Sequence, residues 1–249
     1  MESPVVLITG SLTGIGRATA FLYARQGAKL VISGRREEAG QALARELRAL
    51  AREVEYVHAD VREEAQVRRL VDTTVQRFGR LDIAVNNAGI EGSLGPITDQ
   101  STENYLATFD ANVLGTFLAL KHEMRIMLAQ KSGSIVNLSS MAGRIGMPGA
   151  SIYVASKHAV EGLTKTAALE GAAAGVRVNA VAPGPIDTEM FDRFFASSDE
   201  AKSSFLANLP ARRAGTPDEI AETISFLASD KARFLTGQCV AVDGGYTAQ

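Results

Sequence analysis

Short runs of aliphatic residues alternate along this chain with longer segments whose apolar positions recur every three or four residues. The first run, 5–8, is continuous rather than alternating with polar residues, which is typical of a strand buried on both faces. Longer segments such as 37–51 and 64–78 show the spacing of amphipathic helices. This alternation of strand and helix predicts an α/β fold with a doubly wound parallel sheet and helices on both faces.

The same pattern continues through all 249 residues without a linker, a low-complexity tract or an internal repeat, which predicts a single domain, 1–249. Its periodicity weakens over about 188–213, where large apolar residues mix with polar ones. Such a segment predicts a lid over an apolar substrate, and packing between subunits is the alternative. The residues in question are Met190, Phe191, Phe194, Phe195, Ser197, Ser198, Asp199, Phe205 and Leu206.

Composition then excludes several classes of partner. A formal net charge of -2 gives no basis for binding nucleic acid or an anionic membrane surface. No apolar run approaches the length of a membrane span and no signal peptide is visible, so we expect no membrane association. Cys239 is the one cysteine, which favours a reducing, cytoplasmic location. Three scattered histidines and this thiol offer no metal-ligand cluster, so no metal is expected.

A glycine-rich segment links the first predicted strand to the first predicted helix. Gly10, Gly14 and Gly16 follow the strand, and Thr13 lies just before the second of them. Glycines let the backbone approach a pyrophosphate closely, and a helix N-terminus presents free N–H groups to it. The segment therefore predicts a dinucleotide-binding, Rossmann-like loop rather than an ordinary tight turn. Its Gly-x-x-x-Gly-x-Gly spacing departs from the more common Gly-x-Gly-x-x-Gly pattern.

The end of the second predicted strand bears on the choice of cofactor. A carboxylate at this place binds the 2′-hydroxyl of NAD, but the chain has Gly34, Arg35 and Arg36 before Glu37. Guanidinium groups suit a 2′-phosphate, which they hold through parallel hydrogen bonds. The sequence thus favours NADP(H), with NAD(H) remaining possible. In the alternative interpretation both arginines are solvated, and the neutral Thr13 adds no further basic group.

Other polar residues follow later strands, and each has a structural alternative. Asp60 is either an acceptor for an adenine amino group or the N-cap of the next helix. The segment 86–89 either ties two loops together and leaves room for a ribose or ring, or is a plain turn. Residues 182–188 form either a rigid wall beside a ligand or a connecting turn. Asn112 lies inside the helical stretch 109–127, although asparagine is a poor helix former. It therefore either faces solvent or bonds a water or backbone group in the interior.

Tyr153 and Lys157 are the strongest candidates for chemistry. A spacing of four places both side chains on one face of a helix. A nearby ammonium is expected to lower the pKa of a phenol from about 10 towards neutrality. Ser140 ends the strand-like run 134–140, at the strand end where open α/β sheets bind ligands. The three groups are thus predicted to converge on one carbonyl or alcohol oxygen. Alone, the Tyr–Lys pair is more often an exposed helix pair.

In this order and spacing, the motifs resemble those of the short-chain dehydrogenase/reductase family along essentially the whole chain. The resemblance implies an NAD(P)-dependent enzyme that interconverts a secondary alcohol and a ketone by hydride transfer. The loop departs from the family pattern at Leu12-Thr13. The matching segments are Thr9-Gly10, Gly14-Ile15-Gly16, Asp60, Asn86-Asn87-Ala88-Gly89, Asn112, Ser140, Tyr153 with Lys157, and Pro183-Gly184.

The resemblance also implies a role for each residue. Tyr153 is the general acid/base, Ser140 holds the substrate oxygen, and Lys157 binds the nicotinamide ribose and lowers the pKa of the phenol. Asn112 keeps a water that connects Lys157 to solvent. The cofactor is expected to contact Gly10, Thr13, Gly14, Ile15, Gly16, Arg35, Arg36, Asp60, Val61, Asn87, Ala88, Gly89, Tyr153, Lys157, Pro183, Gly184, Ile186 and Thr188.

Three other functions are compatible with parts of this pattern. One is an NAD-dependent dehydrogenase of a sugar or hydroxy compound, and another is an epimerase or dehydratase that keeps its cofactor bound. The third is a non-catalytic dinucleotide sensor. The chain has no room for the larger substrate portion usual in such epimerases, and it retains the tyrosine and lysine that sensors commonly lose. The resemblance further implies a homotetramer.

Overall fold

The computed structural model describes residues 3–51, 53–195 and 198–249. Within these ranges seven strands form one parallel sheet, in the order β3-β2-β1-β4-β5-β6-β7. Because the order reverses between β1 and β4, the carboxyl ends of these two strands border a crevice. The doubly wound α/β sheet is confirmed. The strands are β1 (Val5–Thr9), β2 (Lys29–Gly34), β3 (Val54–His58), β4 (Ile83–Asn86), β5 (Gly133–Leu138), β6 (Val176–Pro183) and β7 (Cys239–Val242).

Helices cover both faces of the sheet. Tyr23, Leu47 and Ile224 come from helices on one face and are buried in one apolar core with residues of β1, β2, β5 and β6. Leu70, Leu120 and Met127 pack in a second apolar core on the opposite face. The helices are α1 (Gly14–Arg25), α2 (Glu37–Arg48), α3 (Glu64–Phe78), α4 (Thr102–Phe109), α5 (Gly115–Gln130), α6 (Ser151–Ala172), α7 (Glu189–Phe194), α8 (Asp199–Ala207) and α9 (Pro217–Ala228).

Two segments differ from the regular elements that the sequence predicts. The stretch 109–127 is not one regular α-helix, since Asp110–Leu114 forms a π-helical turn between α4 and α5. The irregular stretch 188–213 contains the short helices α7 and α8, whose N-caps Thr188 and Ser198 each accept a backbone N–H. Ser197, part of the predicted lid, lies outside the described residues. Both departures border the crevice.

Candidate active site

The glycine-rich loop between β1 and α1 forms the floor of the crevice. Gly10 and Gly14 have φ angles of +62° and +51°, which residues other than glycine rarely adopt. Thr13 is the N-cap of α1, so this helix begins at the crevice. The backbone N–H groups of its first turn lack intrahelical partners and lie at the same place. A cavity of about 870 Å³ extends from this loop across the ends of β1, β2 and β4. Its shape and its helix terminus suit a dinucleotide.

Gly16 allows α1 to pack directly against the loop. A Cβ atom at this position would press on the carbonyl oxygen of Gly10 and lie 2.5 Å from Nδ2 of Asn87. That nitrogen donates to the carbonyl oxygens of Gly10, at 2.8 Å, and Thr9, at 3.2 Å. The Asn87 amide therefore ties the loops after β1 and β4 together, so of the two alternatives for 86–89 this one is correct and the plain turn is wrong. Gly16 itself does not line the cavity.

Arg35 and Arg36 lie at the end of β2, where both side chains are exposed and line the large cavity. Asp60 lines it from the end of β3. It is not the N-cap of α3, because that position belongs to Glu63. Instead, Oδ2 of Asp60 accepts from Nη2 of Arg62 at 2.6 Å, and this ion pair lowers the pKa of the carboxyl group. Arg62, a further cavity residue, was not predicted, although its position two residues after Asp60 is visible in the sequence.

A second, deeper cavity of about 270 Å³ brings together the three residues predicted to carry the chemistry. Ser140 lies two residues beyond β5, and its Oγ accepts from the backbone N–H of Ala142 at 3.2 Å. Tyr153 is the third residue of α6 and is 8% exposed. Lys157 follows one turn later at 6% exposure, and its Nζ donates to the carbonyl oxygen of Leu138 at 2.9 Å. The pair is buried, so the exposed-pair alternative is wrong.

Burial sets the protonation of these groups. It raises the pKa of Tyr153 to about 12. The charge of Glu91 also raises this pKa, whereas a hydrogen bond with Ser140 lowers it. Burial also lowers the pKa of Lys157 to about 8. The net shift of the Tyr153 pKa is opposite to the lowering expected from Lys157, because burial has the larger effect; Nζ of Lys157 lies 5.6 Å from the ring centroid. The phenol is protonated near neutral pH, the form that donates a proton to a carbonyl oxygen.

Asn112 lies in the π-helical turn between α4 and α5 and is 1% exposed. Its Oδ1 accepts from the backbone N–H of Ile90 at 2.8 Å. Its Nδ2 donates to the carbonyl oxygen of Ile90 at 2.8 Å and to Oγ of Ser156 at 3.0 Å. Of the two alternatives for Asn112, bonding in the interior is correct. It lines neither cavity but fixes the loop after β4 against α6.

The remaining predicted residues form the walls of the two cavities. Pro183 ends β6, and the backbone N–H of Gly184 donates to the carbonyl oxygen of Val242 at 3.0 Å, so this wall is anchored to β7. A Cβ atom on Gly89 would lie 2.9 Å from Oδ1 of Asn112. The large cavity is lined by Gly10, Thr13, Gly14, Ile15, Val61, Asn87, Ala88, Gly89 and Thr188, and the deep one by Ile15, Asn87, Gly89, Pro183, Gly184, Ile186 and Thr188.

The chain is similar to known proteins in both sequence and fold. A family model described as enoyl-(acyl carrier protein) reductase matches residues 10–247. The chain is 44% identical over 244 residues to the A-factor type gamma-butyrolactone 1'-reductase (1S-forming) of Streptomyces virginiae, covering 98% of this chain and 95% of that protein. It is 41% identical over 248 residues to the cyclohexanol dehydrogenase of Acinetobacter sp. (strain SE19), covering 100% and 96% respectively. The chain belongs to the short-chain dehydrogenase/reductase family.

A solved structure of this family, ElxO with NADP bound, is 36% identical, has a TM-score of 0.94 and is covered over 100% of both chains. Like its relatives in the short-chain dehydrogenase/reductase family, this chain is an NAD(P)-dependent oxidoreductase that interconverts alcohols and ketones. The prediction of an enzyme from this family is confirmed.

Helices α7 and α8 place aromatic residues over the deep cavity. The ring centroids of Phe191 and Phe195 are 5.2 Å apart, as are those of Phe195 and Phe205. The ring of Phe194 packs edge-on against Tyr153 at 5.8 Å. Met141 and Met147 complete the apolar wall from the loop after β5. Sequence analysis missed these two methionines, because they lie in a segment without hydrophobic periodicity.

An ion pair links α7 to the loop after β4. Nε of Arg193 lies 2.5 Å from Oε1 of Glu91, and Nη2 lies 3.3 Å from Oε2. The Glu91 side chain is 12% exposed. Neither residue was predicted, since 102 positions separate them and no local pattern marks either one. The pair places a carboxylate close enough to Tyr153 to raise the pKa of its phenol.

This charge gives a pH prediction with opposite signs for two variants. Glu91→Gln removes the charge that disfavours phenolate, so the pKa of Tyr153 falls and alcohol oxidation begins at lower pH. Arg193→Gln leaves the charge of Glu91 without its bidentate partner, so the pKa of Tyr153 rises further and alcohol oxidation begins at higher pH. The measurement is kcat/KM for alcohol oxidation as a function of pH. A shift in the same direction for both variants would show that the pair acts through the lid and not through charge.

Metal and membrane features were also searched within the described ranges. There, no group of three or more His, Cys, Asp or Glu side chains is arranged to hold a metal ion. No helix in those ranges combines the length and apolarity needed to cross a bilayer. Cys239 is half-buried, and its thiol donates to Oε1 of Glu161 at 2.9 Å.

Proposed function

We propose that this enzyme is an NADP(H)-preferring ketoreductase in which Tyr153 protonates the substrate oxygen. The observation that carries the proposal is the convergence of Ser140, Tyr153 and Lys157 in the deep cavity, beside the crevice bordered by Arg35 and Arg36. Mixing the protein with NADPH and a panel of ketones should consume absorbance at the nicotinamide band. Consumption of NADH in preference to NADPH would contradict the cofactor part of the proposal.

The residues present fit a nicotinamide dinucleotide. A Cβ atom at Gly10, Gly16 or Gly89 would lie within 3 Å of neighbouring protein atoms, so these glycines let the loops around the crevice pack closely. The N-terminus of α1 would hold the pyrophosphate, with Ile15 covering it. Asp60 and Val61 would contact the adenine, Ala88 would leave room for the ribose beside it, and Ile186 and Thr188 would meet the carboxamide. The bound cofactor supplies the hydride, while the protein supplies orientation and proton transfer.

The protein's own contribution is the placement of one proton. In the reductive direction, the protonated phenol of Tyr153 donates to the carbonyl oxygen, which the hydroxyl of Ser140 holds. Lys157 is fixed by the carbonyl oxygen of Leu138 and would direct its remaining N–H groups to the nicotinamide ribose. We propose that Asn112 positions the loop around Ile90 and the water path to Lys157. In the oxidative direction Tyr153 accepts the proton, so this direction should accelerate with rising pH.

Cofactor preference gives a test of its own. Arg35→Asp places a carboxylate where a 2′-phosphate would lie. We expect the Kd for NADPH to rise by at least about tenfold, because the variant loses a charge-assisted hydrogen bond to that phosphate. The Kd for NADH should stay constant or fall, because a carboxylate accepts from a 2′-hydroxyl. Fluorescence titration of both cofactors measures this. Arg45→Asp, on the following helix α2 but absent from the cavity lining, is the control. Unchanged NADPH binding in Arg35→Asp would show that both arginines merely face solvent.

We further propose a cytoplasmic homotetramer with residues 188–213 as the substrate lid of a single domain. Exposed apolar side chains support association of subunits: Leu169 on α6 is 81% exposed and Phe234 is fully exposed at 100%. The lone Cys239 supports a reducing compartment. Sedimentation at working concentration should give four times the chain mass, and a monomer would contradict the assembly.

A further inference from the structure

Resting on the proposed function, we infer that the substrate is a small, neutral, apolar ketone or the corresponding alcohol, and that Phe194 is the residue that determines this preference. The inference depends on the charge, the size and the wall chemistry of the deep cavity. Each of these is a property of this chain's own side chains. Together they separate neutral apolar carbonyls from sugars, acids and long acyl thioesters.

Charge is the first argument. The described residues that line the deep cavity include one charged side chain, Lys157, whose Nζ already donates to the carbonyl oxygen of Leu138. Arg193 stands at the lid, but both of its contacts in this region go to the carboxylate of Glu91. A substrate carboxylate or phosphate would therefore lose water without gaining a cation of its own. Such an unpaired charge is strongly disfavoured.

Size is the second argument. The cavity measures about 270 Å³ and its wall includes Ile186 and Thr188, so part of it belongs to the nicotinamide ring. Ligand cavities in proteins commonly measure roughly 300–1,000 Å³, so this space is small for a substrate that shares it with the nicotinamide. We expect it to favour a compact, single-ring substrate over a polycyclic or polymeric one.

The wall is the third argument. The wall of the cavity combines two hydroxyl groups, on Ser140 and Tyr153, with phenylalanine and methionine side chains. Phe194 is the phenylalanine that packs directly against the Tyr153 ring, in an edge arrangement with the centroids 5.8 Å apart. An apolar ring that contacts Phe194 would present its carbonyl oxygen to the phenol. Phe194 therefore selects the substrate and orients it, without taking part in proton transfer.

Three ketones of matched shape test the charge argument: 4-methylcyclohexanone, 4-oxocyclohexanecarboxamide and 4-oxocyclohexanecarboxylate. With the intact protein and NADPH, we expect kcat/KM to be highest for the methyl compound and at least roughly 100-fold lower for the carboxylate, because that charge stays unpaired. The amide should lie between them. Equal or faster reduction of the carboxylate, with turnover still dependent on Tyr153, overturns the inference and leaves the proposed function intact.

Variants of Phe194 test the assignment of the residue. Phe194→Ala should raise KM for the methyl compound by roughly tenfold through lost apolar contact, with unchanged NADPH affinity by fluorescence titration. Phe194→Leu, which keeps an apolar side chain, should retain the wild-type order of the three ketones. Phe194→Arg should reverse the order, because the guanidinium pairs with the carboxylate. An unchanged order in Phe194→Arg overturns the role of Phe194.

Two further outcomes concern the substrate class and the proposed function. If the enzyme reduces larger or charged carbonyls but none of the three ketones, the substrate class is overturned. If it reduces no carbonyl at all, that result counts against the proposed function.

Discussion

Replacing Tyr153 with phenylalanine should lower kcat for ketone reduction by roughly 10²–10⁴-fold, the usual contribution of a positioned general acid. The variant keeps the ring that packs against Phe194 at 5.8 Å and loses only the hydroxyl. The substrate oxygen then has Ser140 as a hydrogen-bond donor but no group that delivers a proton. Affinity for NADPH should persist, because the glycine loop and α1 are untouched. Stopped-flow or steady-state kinetics combined with fluorescence titration separate these two effects.

Tyr105→Phe is the matched control for this experiment. Tyr105 lies on α4, is 45% exposed and stacks on Phe109, so it loses the same hydroxyl away from the deep cavity. It should keep wild-type kcat. Unchanged turnover in Tyr153→Phe would remove the phenol from the mechanism. A fall in NADPH affinity equal to the fall in kcat would instead indicate that the hydroxyl holds the cofactor.

Gly16→Ala should weaken NADPH binding by roughly 100-fold and lower the free energy of unfolding by about 1–3 kcal/mol, the range for overpacking a tight interior site. The added Cβ atom would displace the Asn87 amide from the carbonyl oxygen of Gly10. The loops after β1 and β4 would then separate at the crevice, where the pyrophosphate is expected. NADPH titration and chemical denaturation measure the two effects.

Gly146→Ala provides the comparison for the loop variant. A Cβ atom on Gly146 would meet nothing within 4 Å, and its φ angle is not positive. This substitution should therefore leave both NADPH affinity and stability close to wild type. Normal cofactor binding by Gly16→Ala would show that the crevice accommodates the methyl group by moving α1, and that the Asn87 bond is dispensable.

The placement of the site could be predicted because it follows from topology. Parallel strands carry their ligand-binding loops at one edge of a sheet, so Gly10, Asn87 and Ser140 converge once the strands are recognised. The four-residue spacing of Tyr153 and Lys157 put both on one face of α6. For Asn112, a poor helix former in a helical stretch, the sequence left an interior bond and a solvent-facing position as alternatives, and the structure selects the interior bond.

Properties that depend on burial or on distant pairing could not be predicted. The pKa of Tyr153 moves upward because the phenol is enclosed by residues from several elements, and a sequence pattern contains no measure of that enclosure. The Glu91–Arg193 pair joins positions 102 residues apart. The role of Asp60 was left open because the sequence shows Arg62 two residues later but not that its side chain bonds both carboxylate oxygens.

The π-helical turn at Asp110–Leu114 gives the long helical stretch two different rotational phases. Each residue of an α-helix advances the direction of its side chain by about 100°, so the extra residue in this turn offsets α4 from α5 by nearly that amount. Asn112 can then reach Ile90 while Leu118 and Leu120, further along, stay buried in the core. A variant with one residue deleted here would have a more regular helix. It could then keep either the bonds of Asn112 to Ile90 or the buried positions of Leu118 and Leu120, but not both.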